Sequence, residues 1–252
     1  MNTSDAQRGV STKQYKATAS MAYLDGLTWG ATNYAYVSWW WKTNTNVGSG
    51  DHSSKFLRMS NASDEVNKTF SWTQQQNYVF SNPTYCSNSW NGWNGNPNNW
   101  NFLEAWFNSG SRTYSLRVNG VALANNISWS SCSSFSINEL WKIGFDGGGN
   151  SPPSITWWMD DIYVDNSFSR VMIGNASTYA ASTHFEMQIP TAWSNTSIST
   201  KVNQGSFAGS QQAYLYVLDA NGNVNTNGYP ITVNGSGTSA PQAPRGLQVV
   251  PQ

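Results

Sequence analysis

The sequence predicts an all-β protein, with a large antiparallel sandwich followed by a smaller one. Helix signals are nearly absent, while short β-branched and aromatic runs recur between clusters of Gly, Asn, Ser and Pro. Charge is also scarce and aromatic residues abundant: 10% of the 252 residues are charged, against fourteen Trp and twelve Tyr. That many rings exceeds the needs of one ordinary core, which predicts that some are exposed as ligand-binding faces.

In chain order, the first clear strand is 34–43 (YAYVSWWWKT), followed by 55–60 (KFLRMS). Runs 102–107 (FLEAWF) and 113–118 (TYSLRV) are joined by a hairpin loop at 108–112. Asn119-Gly120 is the strongest two-residue hairpin signal, because both residues tolerate positive φ. Runs 140–145 (LWKIGF) and 155–164 (ITWWMDDIYV) follow, bridged by a Gly-rich segment at 146–150. Near Asn166 aromatic density falls, and a second series begins at 170–173, 185–189, 197–202, 213–218 and 229–233. These changes predict a first domain over 1–166, a second over 167–235, and a Ser/Gly/Pro-rich tail over 236–252.

Thirteen basic and thirteen acidic side chains cancel, which leaves no field to attract nucleic acid or an anionic membrane. No apolar run reaches the ~18 residues needed for a membrane span. The N-terminus, Met1-Asn-Thr-Ser-Asp5, has neither the basic nor the apolar region of a secretory signal. The expected location is extracellular or at the cell surface, after removal of a leader, with a virion as the alternative. In such an oxidising setting the two cysteines, Cys86 and Cys132, are expected to pair, a link worth about 3–4 kcal/mol.

Two stretches carry a resemblance. From Phe102 to Val164, a strand bearing Trp106, an Arg117-Val-Asn-Gly hairpin, a Gly-rich loop and the closing Met159-Asp-Asp-Ile-Tyr-Val follow one another. This order resembles the concanavalin A-like lectin/glucanase jelly roll, shared by laminin-G-like domains and carbohydrate-binding modules. From Arg170 to Val233, with Trp193-Ser-Asn-Thr-Ser-Ile and Ala213-Tyr-Leu-Tyr-Val-Leu-Asp-Ala-Asn-Gly, the chain resembles an IPT/TIG-type immunoglobulin-like domain. The resemblance implies a jelly-roll β-sandwich plus a smaller immunoglobulin-like β-sandwich acting as a spacer. It further implies a structural calcium ion at the Asp160-Asp161 pair, with Asp25 as the first partner to name. Calcium takes six to eight oxygens; the alternative is an ordinary hydrogen-bonded strand carboxylate.

The candidate binding residues lie in Asn88-Ser-Trp-Asn-Gly-Trp-Asn-Gly-Asn-Pro-Asn-Asn-Trp100. Trp90, Trp93 and Trp100 supply flat apolar faces for sugar C–H groups, and Asn91 and Asn94 supply donors and acceptors for hydroxyls. In the run Trp39-Trp40-Trp41 the outer two face one side and Trp40 the other. Trp40 is therefore a candidate on the concave sheet face, with core packing as the alternative. Catalysis has weaker support. No pair of carboxylates has the spacing of a glycosidase, and His52, Arg58, Tyr114 and Arg117 match no lyase motif. Zinc spacing and phosphate loops are also missing. The leading expectation is a non-catalytic module binding polysaccharide or another glycan. The alternatives are a structural surface protein that self-assembles or joins other surface proteins, and a polysaccharide lyase or hydrolase.

Overall fold

A computed structural model of the chain describes residues 15–18, 21–44, 55–73, 75–91, 94–146, 156–207 and 209–233. The predicted tail and the Gly-rich segment at 147–150 lie outside them. The strands are β1 (Tyr15–Thr18), β2 (Met21–Thr28), β3 (Tyr34–Thr43), β4 (Lys55–Ser60), β5 (Lys68–Thr73) and β6 (Asn77–Ser81). They continue with β7 (Thr84–Ser89), β8 (Asn101–Asn108), β9 (Thr113–Val118), β10 (Val121–Ser128), β11 (Glu139–Asp146) and β12 (Thr156–Asp165). The last five are β13 (Arg170–Gly174), β14 (Phe185–Trp193), β15 (Ile198–Lys201), β16 (Gln211–Leu218) and β17 (Tyr229–Val233). No helix among the described residues is long and apolar enough to cross a membrane.

The protein is all-β, as predicted, and its antiparallel sheets form a β-sandwich. Sheet I has the order β1-β12-β3-β8-β9-β10, sheet II β2-β11-β4-β5-β6-β7, and sheet III β15-β14-β13-β16-β17. Sheets I and II enclose the main core, which includes Trp39, Trp41, Trp72, Trp129 and Trp157. Asn119 (φ 52°) and Gly120 (φ 77°) form the expected tight turn, pairing Val118 with Val121.

The outer face of sheet I is covered. Tyr36, Trp40, Phe102 and Trp106 form a second apolar cluster with Phe168, Met172, Tyr179, Phe185, Met187, Tyr216 and Leu218 from the later part of the chain. Sheet I is therefore the middle of three layers, an arrangement open to strands that are apolar on both faces. This explains why β3 and β8 are buried at nearly every position and do not alternate. It also revises the expectation of surplus exposed rings, because two apolar interfaces take more aromatics than one. Among the described tryptophans only Trp90 is fully exposed.

The change of composition near residue 166 marks the start of sheet III, but the two expected domains share this second core. The connection between them is folded. Thr32 Oγ1 donates to the Asn166 carbonyl (3.1 Å), Asp165 Oδ1 accepts from the Ser167 amide (2.9 Å), and Phe168 lies against Tyr34 (4.8 Å between ring centroids).

Cys86 and Cys132 are joined by a disulfide with Cα atoms 5.4 Å apart. Cys86 is on β7, the edge strand of sheet II, and Cys132 follows β10. The bond links the far edge of sheet II to the segment that returns the chain from sheet I. With the cysteines 46 positions apart in sequence, chain entropy makes it worth about 4 kcal/mol.

Candidate functional site

The Asn/Trp loop is held by its own amides. The Asn101 side chain accepts from the Asn96 amide and donates to the Asn96 and Asn99 carbonyls, at 2.8–3.0 Å. Asn77 Nδ2 donates to the Asn91 carbonyl (2.7 Å), and the Tyr114 hydroxyl donates to Asn77 Oδ1 (2.6 Å). Trp90 is 67% exposed, with Asn91 and Asn94 also exposed. Trp100 is half-buried against the cluster between sheets I and III, so it does not extend the Trp90 face. Trp93 lies outside the described residues. Trp40 corrects the expectation of an open concave face. It is 3% exposed, with Phe102 5.3 Å and His184 5.0 Å away between ring centroids, because sheet III covers the side on which a ligand was expected.

The carboxylates predicted to hold calcium do not gather. Asp160 is buried opposite Trp40 and accepts from the Asp161 amide (2.9 Å), and a β-bulge follows, with Asp161 at φ 48°. Asp25 is on β2, in sheet II, opposite Lys142. Among the described residues no three His, Cys, Asp or Glu side chains form a metal-binding group. Of the residues drafted for a lyase, Arg117 and Tyr114 share β9, whereas Arg58 lies over the Trp141 ring in sheet II (4.8 Å). Tyr114 is buried in the main core. Burial raises the Tyr114 pKa. His52 lies outside the described residues.

Between sheets I and III sits a buried polar cluster. Glu104, on β8, is fully buried, and its Oε1 accepts from the hydroxyls of Tyr36 (2.9 Å) and Tyr179 (2.8 Å). Arg170 Nη2 lies 3.7 Å from the same oxygen, and Nη1 donates to the Phe168 carbonyl (2.9 Å). The Arg170 guanidinium stacks on Tyr36, 3.7 Å from the ring centre. Burial pulls the Arg170 pKa down, but Tyr36, Tyr179 and Glu104 together outweigh it and hold the group protonated. Each ion is thus paired, as buried charges require.

Burial also raises the hydroxyls of Tyr36, Tyr163 and Tyr179 above their ordinary value of 10.0. The nearby Glu104 charge adds to the rise at Tyr179. Native values above unfolded ones make these tyrosines' contribution complete below about pH 10, and lost as pH rises toward the native values. Urea unfolding in a pH series should show no loss from these groups between about pH 7 and 9. Above about pH 10 stability should fall, with the tyrosinate absorbance of these three buried rings appearing on unfolding.

Beside this cluster a cleft of about 260 Å³ opens between sheets I and III. One wall is β8–β10, with Trp106, Asn108, Ser115, Arg117, Asn125 and Asn126; the other is the turn at Asn221, Gly222 and Asn223 after β16. The local sequence shapes both walls. Register shifts flank Ala124 on β10, Asn126 has φ 49°, and the Asn126 amide donates to Ser115 Oγ (2.8 Å); bulges of this kind re-aim side chains. On the opposite wall Asp219 Oδ1 accepts from the amides of Asn221 and Asn223 (2.8 and 2.9 Å), and Gly222 takes φ 83°. The side chains of Asn125 and Asn221 are exposed. Among the described residues, no carboxylate and no His lines the cleft. Of its residues, sequence reasoning singled out Arg117 and Tyr114 for lyase chemistry and missed the asparagines. Their signal was weak, since Asn is common throughout the chain and only the fold brings 125 and 221 face to face.

A smaller pocket includes His184, Ser206 and Phe207. Glu186 Oε1 and Ser206 Oγ each lie 2.9 Å from the same nitrogen, His184 Nε2. A nucleophile relay needs the acid on one ring nitrogen and the serine on the other, so this trio is a hydrogen-bonded knot and not a triad.

No protein-family model and no curated protein sequence matches the chain. Solved structures similar to it include a botulinum neurotoxin serotype D binding domain, at 16% identity and TM-score 0.41, covering 61% of this chain and 38% of that one. Another is the cellulose induced protein Cip1, at 14% identity and TM-score 0.42, covering 65% and 88%. A third is domain 4 of AbnA, a GH43 extracellular arabinanase from Geobacillus stearothermophilus in complex with arabinotriose, at 14% identity and TM-score 0.35, covering 58% and 81%. The chain thus spans little more than a third of the toxin structure. At identities this low the similarity does not extend to particular residues.

Proposed function

We propose that the protein is a non-catalytic, extracellular glycan-binding module whose site is the cleft between sheets I and III. The observation that carries this reading is the chemistry of the walls: neutral amides and hydroxyls on two facing surfaces, with the aromatic Trp106 beside them. Asparagine offers both donor and acceptor to a sugar hydroxyl, and two facing amide walls suit a chain with hydroxyls on both edges. A cleft without carboxylate or His walls also lacks the acid–base pair that glycoside cleavage uses. The disulfide fits an oxidising compartment.

The test is retention on immobilised polysaccharides, comparing wild type, the Asn125→Ala/Asn221→Ala double variant and Trp90→Ala, with calcium and with chelator. Loss of two sugar hydrogen bonds should weaken retention roughly tenfold in the double variant, with no new reducing ends or unsaturated product. Loss confined to Trp90→Ala would move the site to the Asn/Trp loop. Loss on chelation alone would restore a calcium role. No retention on any polysaccharide would sink the reading and favour a surface assembly protein.

A further inference from the structure

We infer that the cleft selects an acidic sugar, one carrying a carboxylate, and that Arg117 is the residue that recognises it; this rests on the reading above that the cleft holds a glycan. The Arg117 guanidinium lies 5.0 Å from the ring centre of Trp106 and 5.0 Å from that of Tyr179. Two rings therefore flank the group. Its N–H donors have no hydrogen-bond or ion-pair partner among the described residues, and the side chain is half-exposed where it lines the cleft. A guanidinium flanked by aromatic rings with its donors unspent is available for bidentate pairing with a planar carboxylate.

No carboxylate forms an ion pair with this cation among the described residues. Glu104 is the cross-strand neighbour of Arg117, but its Oε1 contacts Tyr36, Tyr179 and Arg170, and its Oε2 has no hydrogen-bond partner among those residues. Asp219, in the turn that forms the opposite wall, accepts from the amides of Asn221 and Asn223 and from Asn223 Nδ2. Among the described residues that line the cleft, Arg117 is the one charged side chain. A bracing role between layers would need the ring contacts alone. It would not need the group to line a polar opening, as Arg117 does.

The experiment measures retention on polygalacturonate, alginate, methyl-esterified polygalacturonate, dextran sulfate and neutral galactan. The expected result is strongest retention on a carboxylated polymer, falling at least tenfold on the ester and decreasing with salt. Arg117→Gln should weaken binding to the carboxylated polymer roughly 10- to 100-fold, with Arg117→Lys intermediate because it keeps charge but loses the fork. If Arg117→Gln does not fold, the comparison of acid with ester on unaltered protein decides. Equal retention on the ester or on galactan would overturn the acid preference while leaving glycan binding intact. Retention on dextran sulfate with none on the carboxylated polymers would overturn the carboxylate assignment. Retention on none of the five would remove both.

Discussion

Glu104→Ala is expected to lower the unfolding free energy by about 3–5 kcal/mol, the cost of stranding one member of a buried ion pair. Arg170 is fully buried and would lose its carboxylate partner, and the Tyr36 and Tyr179 hydroxyls would lose the oxygen they share. Glu104→Gln, which keeps a carbonyl oxygen at the same place, should cost less. The decisive comparison is the double variant Glu104→Ala/Arg170→Met, which removes both charges and should recover part of the loss. Urea midpoints with unchanged slopes would report this directly. A cost for Glu104→Ala below about 1 kcal/mol would mean that water or rearrangement replaces the lost carboxylate.

Gly120→Ala should cost about 2–4 kcal/mol, although it adds a single methyl group. A Cβ at this position would lie 2.3 Å from the Ser182 carbonyl oxygen, which is backbone and cannot turn aside, and the residue sits at φ 77°. The tip of the β9–β10 hairpin is therefore pressed against the chain just before β14. Strain of φ alone accounts for about 1–2 kcal/mol, and the clash supplies the remainder. Thermal unfolding followed by near-ultraviolet circular dichroism would measure it. An unchanged midpoint would show that this hairpin tip is not in contact with the later part of the chain.

Much of the fold was legible because the signals were local. Asn119-Gly120 specifies its turn whatever packs around it, and the runs at 34–43, 55–60 and 113–118 became strands within their expected bounds. Strands β6 and β7 escaped notice because NYVFS and TYCSNS are too polar for their pattern to stand out in an Asn/Ser-rich chain. The three layers were harder to read. Tyr36, Trp40, Phe102 and Trp106 fall on the opposite face of β3 and β8 from Trp39, Trp41 and Leu103. Unbroken apolar strands in an antiparallel protein imply cover on both faces, and that signal was present in YAYVSWWWKT. What no local pattern revealed was which segment supplies the cover. The same limit applies to the site: Trp90 and its neighbours were conspicuous by composition, whereas Arg117, Asn125 and Asn221 meet only through contacts distant in sequence.

The cleft has one wall on the middle layer and the other on the last. A ligand held there touches both, so its binding energy adds to whatever keeps the layers docked. By mass action, a ligand at a hundred times its dissociation constant would raise the unfolding free energy by about 2.7 kcal/mol. Variants that loosen the docking, such as those at Glu104 and Gly120, should weaken the ligand in turn, without touching it. Stability curves taken with and without a polysaccharide would then report recognition and architecture as one thermodynamic quantity.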